Sequence, residues 1–97
     1  MKVALHPGAE RDIQDAADFY AREGSAALAA RFIAAVKRLL MLLMEQPHIG
    51  SSRSGGRRGL SMGVFPYTGV YRAGPLEIRI LVVKHDKRRP GYGSTRT

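Results

Sequence analysis

Apolar residues recur at helical spacing through the first half of the chain. Val3 to Leu5 form a short apolar piece, which predicts a first strand over residues 2–6. Pro7 and Gly8 end this strand and lead into a helix that Gly24 terminates. The apolar positions of this helix fall on one face: Ala9, Ile13, Ala16, Ala17 and Tyr20. Its acidic residues occupy other faces, so we expect them to be exposed to solvent: Glu10, Asp12, Asp15 and Asp18.

A second, longer helix follows after a very short link. Ser25 is a suitable N-cap, and Gln46-Pro47 ends the helix after about 20 residues. Its apolar face is broad: Leu28, Phe32, Ala35, Val36, Leu39 and Leu43, widened by Ile33, Leu40 and Met44. The short Gly24-Ser25 link predicts that the two helices form an antiparallel hairpin.

The second half of the chain changes to the alternating pattern of strands. Residues 50–59 contain no apolar side chain and predict a mobile basic loop. Three strands are predicted after it, over 57–62, 64–72 and 76–84, with Ala73-Gly74-Pro75 as the last turn. In the third of these strands, Leu76, Ile78, Ile80 and Val82 are expected to share one face. The tail from His85 to Thr97 is expected to run along the surface.

Together these elements predict an α+β fold of order β-αα-βββ in a single domain over residues 1–97. The last three strands form an antiparallel meander, and the helical hairpin covers one face of the antiparallel sheet. A chain of 97 residues has no room for a second core.

Composition narrows the classes of function. The absence of cysteine excludes disulfides, thiolate catalysis and cysteine-ligated zinc. The longest apolar run, Leu39 to Met44, is far too short to span a bilayer, and the start lacks a signal-peptide pattern, so we expect a soluble cytoplasmic protein. The three histidines have no metal-binding spacing, which argues against a metal site.

The net charge of +8 is distributed unevenly. Residues 1–50 carry six basic and six acidic side chains, whereas residues 51–97 carry ten basic side chains against only Glu77 and Asp86. This asymmetry predicts a positive face that attracts an anionic partner, such as nucleic acid or a complex that handles it. Gly55 to Gly59 is not a phosphate-binding P-loop, because it lacks the Lys-Ser/Thr ending and leads into a strand.

Several segments resemble the RelE/ParE superfamily of bacterial toxins, in order and over nearly the whole chain. They are the opening LHPGAERDI, the first helix ending near FY, the QPHIG after the second helix, the strands VFPYTGVYR and LEIRILVVKH, and the closing HDKRRPGY. The resemblance implies the toxin of a type II toxin–antitoxin pair, bound by a cognate ParD-like antitoxin in a hetero-oligomer and needing no cofactor or metal.

The strand FPY…VYR and the ending VKHDKRRPGY look more like the ParE-like branch, whose members poison DNA gyrase and are not nucleases. The resemblance therefore implies a gyrase inhibitor without catalysis of its own. Its target-binding residues are expected in the basic second half: Arg72, Lys84, Lys87, Arg88 and Arg89.

The alternative is a RelE-like endonuclease that cuts mRNA on the ribosome. The residues that resemble the nuclease set are Arg57, Arg58, Arg72, Arg88, Tyr92 and His85. Arg57 and Arg58 are adjacent on a strand and face opposite sides, so at most one of them points into a shared site. A third interpretation is a binding module without toxicity.

The apolar surface of the hairpin is the expected contact for the antitoxin. The broad face of the second helix exceeds what one sheet contact needs, which favours a groove for a partner segment. The expected contact residues are Phe32, Val36, Leu39 and Leu40, or their exposed neighbours.

Overall fold

Two antiparallel helices cover one face of a five-stranded sheet in the computed structural model, which describes residues 1–97. The elements are β1 (Lys2–Leu5), α1 (Pro7–Glu23), α2 (Ala26–Glu45), β2 (Ser51–Ser52), β3 (Arg58–Ser61), β4 (Tyr67–Ala73) and β5 (Glu77–His85). A single 3₁₀ turn, Ser54–Gly56, lies between β2 and β3. The predicted β-αα-βββ order is confirmed, with the two-residue β2 as an addition.

The sheet is mixed, so the expectation of a purely antiparallel sheet is corrected. Its strand order is β1-β5-β4-β3-β2. The meander β3-β4-β5 is antiparallel as predicted, whereas β1 pairs with β5 in parallel, with Lys2 opposite Glu77. Through this pairing β1 covers a stretch of β5 whose backbone groups would otherwise be left open at the edge of the sheet.

Local signals set the ends of both helices. Pro7, which was expected to precede the helix, is the first residue of α1, and the Nδ1 of His6 accepts a hydrogen bond from the Gly8 N–H at 2.9 Å. The predicted cap of α2 is confirmed, because the Ser25 Oγ accepts from the Leu28 N–H at 3.0 Å. Neither helix combines the length and the apolarity needed to cross a bilayer.

The core lies between the hairpin and the sheet and is centred on Phe32. The ring of Phe32 lies 5.4 Å from Tyr20, 5.3 Å from Phe65 and 5.1 Å from Tyr67, centroid to centroid. Tyr71 of β4 is fully buried in the same core.

Three of the four expected antitoxin contacts belong to this core. Phe32, Val36 and Leu39 are at most 5% exposed, because their stripe of α2 is the one that faces the sheet. Only Leu40 keeps part of its surface in solvent. A partner that binds the folded toxin domain therefore meets their exposed neighbours.

A β-bulge in β5 overturns the predicted alternation of that strand. Val70 pairs with Val82, but the next residue, Tyr71, pairs with Ile80, which leaves Leu81 as an extra residue. Ile78 and Ile80 pack in the main core, whereas Val82 packs with Leu81 and Val70 on the other face of the sheet. The expectation that Val82 shares the face of Ile78 and Ile80 is therefore wrong, since the bulge reverses the phase of the strand.

The basic loop predicted over residues 50–59 is shorter and more ordered than expected. Ser51–Ser52 pair with Arg58 and Gly59 as an edge of the sheet, and Gly50 and Gly59 are buried. Backbone N–H and C=O groups can pair in a ladder without any apolar side chain, which is why composition alone did not indicate β2.

Candidate functional site

A groove with four basic side chains in its lining lies on the face of the sheet that the helices leave open. It has a volume of about 450 Å³. Eleven residues line it, and we call it the basic groove: Arg53, Ser54, Gly55, Arg57, Val70, Arg72, Val82, Lys84, Pro90, Tyr92 and Ser94. They come from β4, β5, the segment before β3 and the C-terminal tail.

Strand alternation and the bulge place the cations in the basic groove. Val70 and Arg72 lie two residues apart on β4 and therefore point to the same face. On β5, the bulge at Leu81 turns Val82 and Lys84 to that face as well. Unbroken alternation would have directed Lys84 toward the helices, together with Ile78 and Ile80.

Gly59 makes room for one of these cations. A Cβ at position 59 would lie 2.2 Å from the Nε of Arg53, so the Arg53 side chain occupies the space beside the glycine. Gly59 pairs with Val70, whose side chain lines the basic groove. The absence of a side chain at position 59 thus lets Arg53 lie along this surface.

The basic groove concentrates positive charge without internal compensation. None of its lining residues is acidic. Burial lowers the pKa of the Arg57 guanidinium, and the nearby charges of Arg72 and Arg96 lower it further. Like charges held this close together favour the binding of an anion.

The C-terminal tail forms one wall of the groove and is held there by Arg57. The Arg57 guanidinium donates hydrogen bonds to the carbonyls of Gly93, Ser94 and Arg96, at 3.2, 2.9 and 2.6 Å. The tail predicted to run along the surface is therefore docked by specific bonds. It carries Pro90, Tyr92 and Ser94 into the groove lining.

A buried carboxylate fixes the other side of the tail. Asp12 of α1 accepts hydrogen bonds from the Arg96 Nη1 at 2.6 Å, from the backbone N–H of Val83 at 3.0 Å and from the Tyr92 hydroxyl. Arg96 also donates to the carbonyl of Leu81 at 3.0 Å. These bonds satisfy backbone groups of β5 at the bulge, beyond the end of β1.

Two smaller features complete this contact. A Cβ at Gly8 would lie 2.5 Å from the Arg96 Nε, so the glycine gives the guanidinium its place beside α1. The guanidiniums of Arg88 and Arg96 lie over the Tyr92 ring, at 4.1 and 4.9 Å from its centroid.

A second groove, of about 530 Å³, opens on the helical side of the molecule. We call it the apolar groove, and its lining is Tyr20, Leu28, Arg31, Ala34, Arg38, Val64, Phe65 and Pro66. Val64 is 93% exposed at its edge. Two arginines stand among apolar side chains here, so the groove suits an amphipathic segment that carries acidic residues.

Comparison with known families identifies the chain. Residues 3–90 match the model of a family described as the ParE toxin of the type II toxin–antitoxin system, parDE. The chain belongs to the ParE toxin family. It is thus the toxin of a type II toxin–antitoxin system, whose partner is an antitoxin.

A solved structure gives independent support for the ParE fold. The chromosomal ParDE toxin–antitoxin system from P. aeruginosa contains a chain that superposes with a TM-score of 0.78 at 20% sequence identity. The match covers 88% of the present chain and 95% of that one, which shows a common fold. No curated protein matches the sequence significantly.

The toxin brings together only part of each residue set expected from the sequence. Two of the expected target contacts, Arg72 and Lys84, line the basic groove. Arg88 lies over the ring of Tyr92. Lys87 and Arg89 are exposed on the turn that follows β5. The expected target contacts therefore form two adjoining parts, the basic groove and an exposed basic run from Lys87 to Arg89.

The residues that resemble the nuclease set are divided between surfaces. Arg57, Arg72 and Tyr92 line the basic groove. Arg58 instead donates to the carbonyls of His48 and Gly50, and His85 lines a separate depression with Asp15 and Phe19. No cluster of three or more His, Asp or Glu side chains is placed to hold a metal ion.

Sequence reasoning missed Arg53, Asp12 and Arg96. Asp12 was expected to be exposed, yet it is 7% exposed because it lies three residues after Ala9 and four before Ala16, on the buried stripe. That spacing was a usable signal. Nothing in the sequence links Asp12 to Arg96, which is 84 residues away.

Proposed function

We propose that this ParE toxin inhibits DNA gyrase by binding to the gyrase–DNA complex through its basic surface, without catalysis of its own. Gyrase is the target known for the family. The observation that carries the proposal is the uncompensated basic groove together with the exposed run Lys87 to Arg89. Only two of the sixteen basic side chains of the toxin are paired with a carboxylate, Lys2 and Arg96.

The hydrogen bonds of the Tyr92 hydroxyl favour gyrase inhibition over RNA cleavage. A tyrosine that assists proton transfer needs a hydroxyl within reach of the substrate. The Tyr92 hydroxyl instead donates to Asp12 and accepts from the Arg96 Nη2 at 3.0 Å. Arg57 likewise donates three hydrogen bonds to tail carbonyls, so both side chains are already bonded within the toxin.

A supercoiling assay tests the target. Purified gyrase, relaxed plasmid and ATP are titrated with toxin freed of its antitoxin. We expect loss of supercoiling and accumulation of linear DNA linked to protein. If folded toxin leaves gyrase unaffected but cleaves mRNA on added ribosomes, the proposal is wrong and the RelE-like alternative takes its place.

Charge variants test the surface. The triple variant K87A/R88A/R89A removes the exposed run and should need about tenfold more toxin for the same inhibition, because close charges across an interface steer and hold a partner. The control R11A/R22A/K37A removes three exposed cations from the helices, with the same change in net charge. Equal inhibition by both variants would rule out the run as a contact.

We further propose that the antitoxin covers the apolar groove. The support is its mixture of apolar side chains with Arg31 and Arg38, on the helical surface where the antitoxin was expected. Leu28, Ala34 and Val64 line this groove and keep surface in solvent, whereas Phe32 and Val36 are buried. This arrangement keeps the contact on α2 while leaving the core intact.

A further inference from the structure

We propose that the basic groove binds the phosphodiester backbone of DNA directly, so that the toxin holds DNA as well as gyrase. The choice of DNA as the anion rests on the proposed gyrase target. The contact deepens that proposal, because it assigns the groove to the nucleic acid and leaves the rest of the surface to the protein.

Several cationic side chains in the groove make few or no hydrogen bonds within the protein, which favours a polyanionic ligand. Four cationic side chains converge there: Arg53, Arg57, Arg72 and Lys84. Arg53 and Lys84 donate no side-chain hydrogen bond within the protein, and Arg72 donates only to the carbonyl of Gly55, through its Nε and Nη2. Several donors are thus free to bind phosphate oxygens.

The same groove is poorly suited to reading bases. Base recognition on single strands relies on aromatic faces for stacking. Tyr92 is the only aromatic residue in the lining, and two guanidiniums already lie over its ring. The remaining apolar surface is Val70, Val82 and Pro90. The groove therefore predicts sequence-independent contacts with the backbone.

The strands and the tail that carry these cations are fixed before a ligand arrives. Arg72 and Lys84 stand on the paired strands β4 and β5, and Arg53 lies against Gly59. The tail wall is fixed by Arg57 and by the ion pair of Asp12 with Arg96. Side chains placed on rigid elements lose less entropy when they bind.

Fluorescence anisotropy with a labelled 20-bp DNA duplex tests the inference on toxin freed of its antitoxin, over a series of salt concentrations. We expect binding whose affinity falls steeply with salt. The variant R72Q/K84Q should weaken binding at every sequence and reduce the salt slope by about two, since each lost phosphate contact lowers it by about one.

Two further variants distinguish binding in the basic groove from an effect of the net charge of the toxin. The control R11Q/K37Q carries the same net charge as R72Q/K84Q, but its substitutions lie on exposed helix positions, and it should keep the salt slope of the wild type within one unit. G59A retains every charge and displaces Arg53, so it should weaken duplex binding while circular dichroism shows an unchanged fold.

Three results would overturn the inference. They are no duplex binding at low salt, equal losses in R72Q/K84Q and R11Q/K37Q, or a preference for single-stranded RNA of about tenfold or more over the duplex. Its failure is distinguishable from that of the gyrase proposal, because the supercoiling assay is a separate measurement. Inhibition of gyrase by a toxin that binds no DNA would retain the function and reject the groove as a DNA site.

Discussion

The carboxylate of Asp12 joins three parts of the toxin that are distant in sequence. It receives hydrogen bonds from β5 through Val83 and from the tail through Tyr92 and Arg96. Buried charges are costly unless they are paired and hydrogen-bonded, and both conditions hold here. One side chain thereby sets the position of α1 against the sheet and of the tail against both.

Replacing Asp12 by asparagine should destabilise the toxin by about 2–3 kcal/mol. The change leaves the partly buried Arg96 without its counter-charge, and breaking a buried pair from one side costs about 3–5 kcal/mol, reduced here because Arg96 retains some solvent contact. Urea unfolding of D12N measures the loss. The matched control is D15N on the exposed face of α1, and equal stability of the two variants would show that the ion pair contributes nothing.

The cap of α1 makes stability depend on pH. Partial burial lowers the pKa of His6 below its ordinary 6.5, and the charges of Arg79, Arg96 and Arg11 lower it further, against a smaller opposing effect of Asp12. Between the lowered value and 6.5 the unfolded chain binds more protons than the folded one, so the free energy of unfolding rises with pH across that window. Below the window, protonation also removes the Nδ1 acceptor of the cap.

The variant H6N tests this dependence, because asparagine caps a helix without titrating. The free energy of unfolding, measured from pH 5 to 8, should rise with pH more steeply in the wild type than in H6N. Parallel pH profiles for the two proteins would exclude His6 as the source.

For individual residues, the sequence predicted interactions between neighbours along the chain and missed interactions between residues that are distant in sequence. Ser25 as a cap follows from residue type and position, and it is confirmed. Asp12 and Arg96 meet only after the sheet and the tail have formed, so neither composition nor spacing predicts their contact. Arg72 and Lys84 were predicted as target contacts in the basic second half of the chain, and the fold places them in one groove.

Among the elements, β5 shows how one inserted residue changes the surface of the molecule. Strict alternation predicted Val82 on the same face as Ile78 and Ile80, but the bulge at Leu81 moves Val82 and Lys84 to the open face. Periodicity identified the helices and the three meander strands, since each needs one apolar face. It does not register a bulge, because both neighbours of the extra residue are apolar as well.

The tail behaves as an element of its own, and Arg57 should control its local stability. In R57K, one ammonium replaces a planar fork that serves three carbonyls, so the tail should open more often. Hydrogen exchange should accelerate at the amides of Tyr92, Ser94 and Arg96, which are bonded within the tail, while β4 and β5 stay protected.

The adjacent arginine provides the control for this experiment. R58K weakens the bonds of Arg58 to His48 and Gly50, so its exchange should rise near residues 48–50 and not in the tail. Faster tail exchange in both variants, or in neither, would contradict a specific role for Arg57.

For the whole molecule, the sheet lies between the two proposed binding surfaces. The basic groove lies on the open face of the sheet, and the apolar groove lies on the side of the helices. The negative charges are concentrated in the first half of the chain and the uncompensated positive ones in the second. On the proposed assignment, target binding and antitoxin binding depend on different side chains, so single substitutions should separate the two activities.

A substitution at Val64 should separate antitoxin binding from toxicity. It lies at the edge of the apolar groove and is 93% exposed, so V64D should leave the fold unchanged while placing a negative charge against the amphipathic antitoxin segment. We expect V64D to remain toxic to growth and to inhibit gyrase like the wild type, but to lose at least tenfold in antitoxin affinity, about 1.4 kcal/mol. Co-expression of the antitoxin should then no longer rescue the cells.

The variant M41D is the matched control, because Met41 is 62% exposed on α2 but lies outside the apolar groove. It introduces the same charge on the same side of the toxin and should still be neutralised. Rescue of V64D as complete as that of M41D would place the antitoxin elsewhere on the hairpin. Loss of toxicity in V64D would contradict the separation itself, since a residue remote from the basic groove would then be needed at the target.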